Sequence, residues 1–436
     1  MKKILLLCSA FVVAATVARG QCCPTPDYKP HVVVMGVYKY HPSSRDTVER
    51  RACAGATLIF DRNHVDGFKM MHRPGVIVTS HDNRLSVAVG GAVSLRAGYD
   101  FEGMVGDSDF VPYDISVSPT WANRQKLFMS VTTSRLFVKG IAHSRLLGDV
   151  VTYVETDFRG QNFGMQLRHA FVSFKGFLFG RTYSTFCDPM AGPTTIDYEG
   201  PNAYNANFNE VIRYTHSFGQ HFSMAVAAET PRVEATYSSE RTAAQTQRIP
   251  DFVAYVQYGW GRYQQSHLRV SGLIRTMYYR DLVADDNRKA VGYGVQLSGN
   301  IGFARHFNLC MNGIYGKGIS PYINDLHGSS LDLVTKTGDS GKMQMPTMWG
   351  WQAALKYNIT PRIFISGGYS EVNVDHSDGY SADGDYKRGQ YIFANIFYKL
   401  APNCQIALEY LYGTRKNQGG NAGHANRIQT MVQYNF

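Results

Sequence analysis

The chain has 436 residues, of which 44% are hydrophobic, 13% aromatic and only 18% charged, with 42 Gly, 28 Tyr and 24 Phe; the formal net charge is +10. A charged share below the ~25% of ordinary soluble domains, beside a mean hydropathy of −0.24, excludes a bundle of membrane helices, and the aromatic content excludes a disordered chain. Many aromatics in a polar average suit a sheet that is apolar on one face and wet on the other, as a barrel in lipid is.

Lys2 and Lys3, the apolar run Ile4 to Val17 and the small residues of Ala18-Arg19-Gly20 predict a signal peptide over residues 1–20, cut before Gln21. Gln21 precedes Cys22 where a lipidation site has Gly or Ala, so the mature chain is expected without a lipid. No apolar run of membrane-helix length follows. Without Lys2, Lys3 and Arg19 the excess is about seven positive charges, with no long basic run. That is not a nucleic-acid face; on a pore it favours anions. Cys8 lies in the signal. Cys22, Cys23, Cys53, Cys187, Cys310 and Cys404 form no CxxC pair, which speaks against structural zinc. A bridge from Cys53 to Cys22 or Cys23 stays open, and Cys310 and Cys404 read as apolar fillers in strands. Residues 21–86 form an N-terminal extension.

Period-2 segments then predict sixteen strands. They are Val87–Tyr99, Lys126–Val138, Asp149–Phe158, Phe163–Phe174, Phe177–Ser184, Glu210–Phe218, Phe222–Glu229 and Asp251–Tyr258. The second half adds Ser266–Arg280, Ala290–Phe303, Phe307–Lys317, Met348–Ile359, Arg362–Val374, Gln390–Leu400, Asn403–Arg415 and Ala425–Phe436. Tight links such as Lys175-Gly176, Thr360-Pro361 and Ala401-Pro402 alternate with long ones, 100–125, 185–209, 230–250, 318–347 and 375–389. One quiet rim and one decorated rim are the mark of an all-β, antiparallel up-and-down transmembrane barrel over residues 87–436, with short periplasmic turns and long extracellular loops. Sixteen strands leave room for an aqueous channel.

The faces can be read directly. Ile428, Thr430, Val432, Tyr434 and Phe436 share one face of the last strand, and Gln429, Gln433 and Asn435 the other. Phe436 behind Tyr434 and Val432 resembles the terminal signal read by the barrel-assembly machinery. Trp349, Trp351, Ala353, Leu355 and Tyr357 oppose Gln352, Lys356 and Asn358; Leu268, Val270, Ile274 and Tyr278 oppose Arg269, Ser271 and Arg275.

Arg168-His169-Ala170-Phe171, Gly180 to Phe186, Thr195 to Pro201 and Ile212-Arg213-Tyr214, with Tyr99-Asp100-Phe101 and Ala122-Asn123-Arg124-Gln125 upstream, resemble the DcaP-like outer-membrane porins over residues 85–231. The resemblance implies a homotrimer in outer-membrane lipid that passes dicarboxylates and similar small anionic solutes. It also implies that the third long loop, 185–209, folds inward as a constriction. The extended helical N-terminal segment of some members is not evident here, and Cys187, Cys53 and Cys22-Cys23 are unusual for porins.

The candidate constriction comprises Asp188, Asp197 and Glu199 on that loop, stiffened by Pro189, Pro193 and Pro201, and a facing basic wall. By parity the wall is Arg168, Arg213, Arg269 and Arg275. Arg suits carboxylates because its planar fork binds two oxygens at once.

No GxSxG, HExxH or phosphate-binding loop occurs, so no catalysis and no cofactor are expected. His31, His41, His64, His72 and His81 lack ligand spacing. Asp375, Asp378, Asp383 and Asp385 are hard oxygen donors without full EF-hand spacing, a weak calcium candidate; Asp100, Glu102, Asp107 and Asp109 form a similar acidic loop. The reading that competes with a passive channel is a non-transporting structural or adhesive barrel acting through its extracellular loops.

Overall fold

A computed structural model describes residues 30–36, 42–62, 74–106, 109–261, 266–304, 306–336, 338, 340–376 and 382–436. The expected signal peptide, Cys22, Cys23, His41, His64, His72, Asp107 and Asp378 lie outside them.

Sixteen strands among the described residues close into an antiparallel barrel. They are β1 (Leu85–Glu102), β2 (Arg124–Ser130 continued by Arg135–Ser144), β3 (Gly148–Asp157), β4 (Gln166–Phe174), β5 (Phe177–Tyr183), β6 (Phe208–Phe218), β7 (Phe222–Glu229) and β8 (Asp251–Trp260). The ring continues through β9 (Ser266–Asp281), β10 (Asp286–Phe303), β11 (Phe307–Lys317), β12 (Thr347–Asn358), β13 (Ile363–Asp375), β14 (Tyr386–Ala401), β15 (Cys404–Asn417) and β16 (Ala422–Asn435). Each pairs with its sequence neighbour, and β16 pairs back onto β1 from Asn426↔Glu102 to Asn435↔Ala92. Closure leaves no strand edge, which is what a sheet in hydrocarbon requires.

The expected strands stand, with differences at their ends. β2 breaks between Ser130 and Arg135 and runs on to Ser144, and β9–β10 and β15–β16 close as hairpins around 282–285 and 418–421. Their polar ends read as loop because ladder hydrogen bonds persist above the apolar band, where side chains no longer alternate in hydropathy. The outward face carries the apolar set: Val270, Ile274, Val295, Leu297, Leu355, Val432, Tyr434 and Phe436 are exposed, while Arg269, Ser271, Arg275, Gln352 and Gln429 point inward and are buried. Phe436 exchanges both backbone hydrogen bonds with Gly91, at 2.9 and 3.0 Å.

Before the barrel, strands His31–Met35 and Val76–Ser80 pair in parallel, and Val76–Ser80 pairs with the start of β1. Helix α1 (Pro42–Arg62) packs on them through Ala56, against Ile77 and Ala88, with Phe60 alongside. A helical N-terminal segment, not evident in the sequence, is thus present over residues 42–62. Its buried stripe is Ala52 and Ala56 with Phe60 half-buried, too small a set to stand out as a 3.6-residue period. Among the described residues, Cys53, Cys187, Cys310 and Cys404 form no disulfide with one another.

The core lies inside the barrel, in large clusters on the β8–β16 side and a smaller one on β2–β6. Described parts of the loops after β1, β5 and β11 (109–123, 184–207 and 318–336) fill it, packing Phe110, Ile115, Phe186, Ala203, Ile319 and Tyr322 against Met348, Val372, Tyr391 and Leu411. Inward glycines admit them: a Cβ at Gly413 would lie 2.7 Å from the Phe110 ring, and one at Gly350 would lie 2.9 Å from Ala203 Cβ.

The closing seam holds a buried ion pair. Arg427 on β16 donates Nε to Asp100 Oδ1 at 2.6 Å and Nη2 to Oδ2 at 2.9 Å, from register-paired positions. Removing one partner of such a pair costs about 3–5 kcal/mol, because the other charge stays buried. Asp100→Ala should therefore lower the temperature at which the folded, fast-migrating barrel is lost on a heat-modifiability gel. Arg427→Met added to Asp100→Ala should recover much of the loss.

Candidate functional site: a loop-lined cavity in the barrel

The 184–207 loop leaves β5 and crosses to the far wall, where inward polar side chains bind its backbone. Thr185 N donates to Glu229 on β7 (2.6 Å), Asn312 on β11 donates to Ala203 O (2.8 Å), and Gln352 on β12 donates to Ala191 O (3.3 Å). Ala203 N donates to Ser370 Oγ on β13 (3.0 Å), and Asn395 on β14 donates to Thr194 O (2.9 Å). The strongest seat is Glu409 on β15. Its buried carboxylate accepts from Ile196 N (3.0 Å), Asp197 N (2.9 Å), Asn395 Nδ2 (2.7 Å) and Gln429 Nε2 (2.8 Å).

With the loop against that wall, a cavity of about 770 Å³ remains between residues 193–201 and inward residues of β1, β2, β4, β5 and β16. Arg96, Arg135, Arg159, Arg168, Arg181 and Arg232 line it with Asp197 and Glu199. Carboxylates behind the wall orient most of these cations. Arg168 donates Nε to Glu155 (2.9 Å) and Nη1 to Asp157 (3.0 Å), and also donates to Tyr198 OH on the loop. Arg159 grips Asp109 with both Nη atoms, at 3.0 and 2.5 Å. Arg181 and Arg232 share Glu210. Arg168 owes its aim to a β-bulge: Glu155 pairs with His169 and Thr156 with Leu167, which leaves Arg168 as the extra residue. Both Arg168 and His169 are consequently buried.

Arg96 differs from the others. Its side chain is 1% exposed, its nearest counter-charge is Asp109 at 3.8 Å, and none of its three guanidinium nitrogens finds a hydrogen-bond acceptor among the described residues. On the loop opposite, Asp197 accepts from Phe110 N, Gly200 N and Tyr391 OH. Burial first, then Asp109 and Glu409, push its carboxyl up to about 7. Glu199 is held well above the usual carboxylate range by burial and by Asp109 and Asp197.

The sequence-derived set is thus divided. Arg168, Asp197 and Glu199 meet at the cavity. Asp188, Arg213, Arg269 and Arg275 are inward but do not line it. Asp188, on the loop itself, anchors it to the wall, bonded to His267 (2.8 Å) and Ser298 (2.7 Å), with Arg269 at 3.8 Å. Arg269 also holds Gln257 and the Cys187 carbonyl. Arg213 is 4% exposed on β6. Arg275 faces Asp251 (3.2 Å) and Asp332 (3.1 Å), so its partner is the loop after β11 and not the third long loop. Parity finds the inward face, but loops that fill half the lumen decide which inward residues stay open. Parity also reaches Arg96, between outward Val93, Leu95 and Ala97; Arg159 and Arg232 stand outside the strands and carry no such signal. Asp375, Asp383 and Asp385 form no metal-binding group among the described residues. Asp100 and Asp109 are engaged by arginines.

Glu409→Ala strands the Ile196 and Asp197 amides, each a buried donor costing about 1–3 kcal/mol when unpaired. Amide exchange at these two positions should quicken by roughly ten- to a hundredfold, while exchange in β15 away from the site holds.

A family profile described as "Porin subfamily" (Porin_2) matches residues 113–435. No match was found among curated proteins. Among solved structures, the outer-membrane channel DcaP of Acinetobacter baumannii superposes with a TM-score of 0.70 at 20% identity, covering 81% of this chain and 97% of that one. An anion-selective porin from Comamonas acidovorans gives 0.53 at 12% identity, covering 81% and 100%. OmpT of Vibrio cholerae in its trimer form gives 0.50 at 12%, covering 81% and 99%. These likenesses carry the barrel fold, and the profile match over most of the chain carries the family: the protein belongs to the porin subfamily Porin_2.

Proposed function

We propose that the chain is an outer-membrane porin, a passive diffusion channel whose path runs through the arginine-lined cavity and favours small hydrophilic anions, dicarboxylates among them. The observation that carries this reading is Arg96: a buried guanidinium, bare of acceptors among the described residues, on the wall of the cavity. A planar fork in that state is matched to a carboxylate. Arg135, Arg159 and Arg168 extend the same surface, and Asp197 and Glu199 offer little opposing charge while protonated. Constriction belongs to Arg168, Asp197 and Glu199 with Arg96. Arg269 and Arg275 hold the loops that narrow the lumen, Asp188 anchors the third one, and Arg213 stands inward on β6. The likeness to a porin described as anion-selective agrees with the preference, and the likeness to a trimeric OmpT agrees with a homotrimer. In this reading residues 1–20 direct export, and Phe436, Tyr434 and Val432 direct assembly. The short-turn rim with residues 21–86 faces the periplasm.

Arg96→Gln should reduce the anion-to-cation permeability ratio by a factor of a few, as an exposed-strength charge interaction of about 1 kcal/mol implies. Reversal potentials across a low-salt gradient in planar bilayers read it. An unchanged ratio would remove Arg96 from the path, and a protein giving no open-channel steps would leave the barrel structural.

The same ratio should fall as pH rises from 6 to 8. A carboxyl raised to about 7 is neutral below that value and anionic above it, so Asp197 adds a negative charge to the narrow part of the path over this window. Asp197→Asn should flatten the profile.

A further inference from the structure

The outward wall of β12 to β16 changes chemistry row by row towards the long-loop rim. Leu355, Gly367, Ala394, Tyr410 and Ile428 form one register row, and the next is Ala353, Tyr369, Ile392, Tyr412 and Asn426. Above it come Trp351, Glu371, Gln390, Thr414 and His424, then Trp349, Asn373, Arg388 and Lys416. Apolar side chains thus give way to an aromatic level, a polar level and a cationic level within four rows.

The polar level is knit together. Glu371 accepts from Tyr369 OH (2.5 Å), Asn373 Nδ2 (2.9 Å) and Gln390 Nε2 (3.1 Å), and Thr414 donates to Gln390 Oε1 (2.9 Å). Arg388 pairs with Glu371 at 2.8 Å, and His424 meets Glu102 at 3.0 Å. Glu371 thus has its cation in Arg388. Lys416 is left over, exposed and without a hydrogen bond or ion pair among the described residues, and so is Lys387, the extra residue of a bulge between Tyr386 and Arg388. A recess of about 340 Å³ opens between Arg388, Lys416 and His424. Below it on the same strands lies an apolar depression of about 630 Å³, where Gly367 and Ala394 sit low between Leu355, Ile365 and Tyr410.

We propose that this face docks a phosphorylated lipid of the outer leaflet, its headgroup phosphate against Lys387, Arg388 and Lys416 and an acyl chain in the depression beneath. Charge selects the headgroup, because Lys387 and Lys416 form no ion pair with any described residue and stand beside Arg388 on the rim. The order of the rows selects a lipid over a free ion, since the cations stand above the aromatic level and the groove below it, as headgroup and chain would. A charge on the lipid-facing wall is tolerated only near such an interface, and a basic side chain there is worth about fivefold in anionic-lipid affinity.

The test is native mass spectrometry of the full detergent-extracted protein offered bisphosphorylated lipid A, the same lipid dephosphorylated, or inorganic phosphate. The expected result is retention of the bisphosphorylated lipid at least tenfold above the dephosphorylated one, with no adduct from phosphate alone. Lys387→Gln with Lys416→Gln should lower retention by more than tenfold, roughly fivefold for each lysine. Ala394→Trp, which fills the depression from outside the barrel, should lower it independently, and heat-modifiability gels confirm that both variants are folded. Equal retention of the two lipids, retention unchanged in the folded variants, or equal uptake of free phosphate would overturn the proposal. So would a loss of oligomer in the lysine variant with lipid retention intact, which would give the face to a second copy of the chain. Neither lysine lines the internal cavity, so this result and the conductance result stand apart.

Discussion

A sheet in hydrocarbon must satisfy every backbone donor within itself, and it does so by closing. Closure here is the pairing of β16 with β1, where Arg427 and Asp100 meet at register-paired positions and Phe436 completes the ladder against Gly91. Once the ring is closed, alternate side chains have two different solvents. Val270, Ile274 and Leu355 go to the outside, and Arg269, Ser271 and Gln352 to the inside. The polar interior that results is the resource on which the rest of the molecule draws.

That interior is used in two ways. On the β7 and β11–β15 side, its amides, hydroxyls and carboxylates bind loop backbone. Glu409 takes two amides of the third long loop, Ser370 takes one, and Asn312 and Asn395 supply donors to its carbonyls. On the β1–β5 side the loops stand partly off the wall, and the same kind of residue borders the cavity. Glu155 and Asp157 hold Arg168 from behind, Asp109 holds Arg159, and Arg96 keeps its nitrogens bare of acceptors among the described residues. An inward arginine therefore either packs under a loop or borders the cavity the loops leave. Arg269, bonded to the Cys187 carbonyl under the loop, and Arg96 have the same parity and different surroundings.

Departures from strict alternation fall where the pattern meets a local exception. The bulge at Arg168 places two consecutive residues inside, so that Phe171 is buried although simple counting from Leu167 would turn it outward. The hairpin ends of β9–β10 and β15–β16 are strands made of polar residues, which hydrophobic period cannot see. Helix α1 buries alanines, whose small apolar surface leaves a faint periodic trace even though Ala56 is fully covered against Ile77 and Ala88. These are failures of a signal built on hydropathy, in places where hydrogen bonding or close packing of small side chains does the selecting.

What the sequence by itself determined was the barrel: strand number, order, the quiet and decorated rims, and the inward or outward sense of residues such as Arg168, Arg269 and Val432. Each of these follows from a two-residue period that is local and survives without knowledge of distant contacts. What only the tertiary structure decided was the path through the barrel. Ile196 and Glu409 are 213 residues apart, and the hydrogen bonds between the third long loop and β15 depend on backbone amides that every sequence has. No residue type announces such a contact, so the division of the lumen into a filled half and an open half, and with it the choice of Arg96 over Arg213 at the cavity, becomes visible only when the loop is seen on its wall.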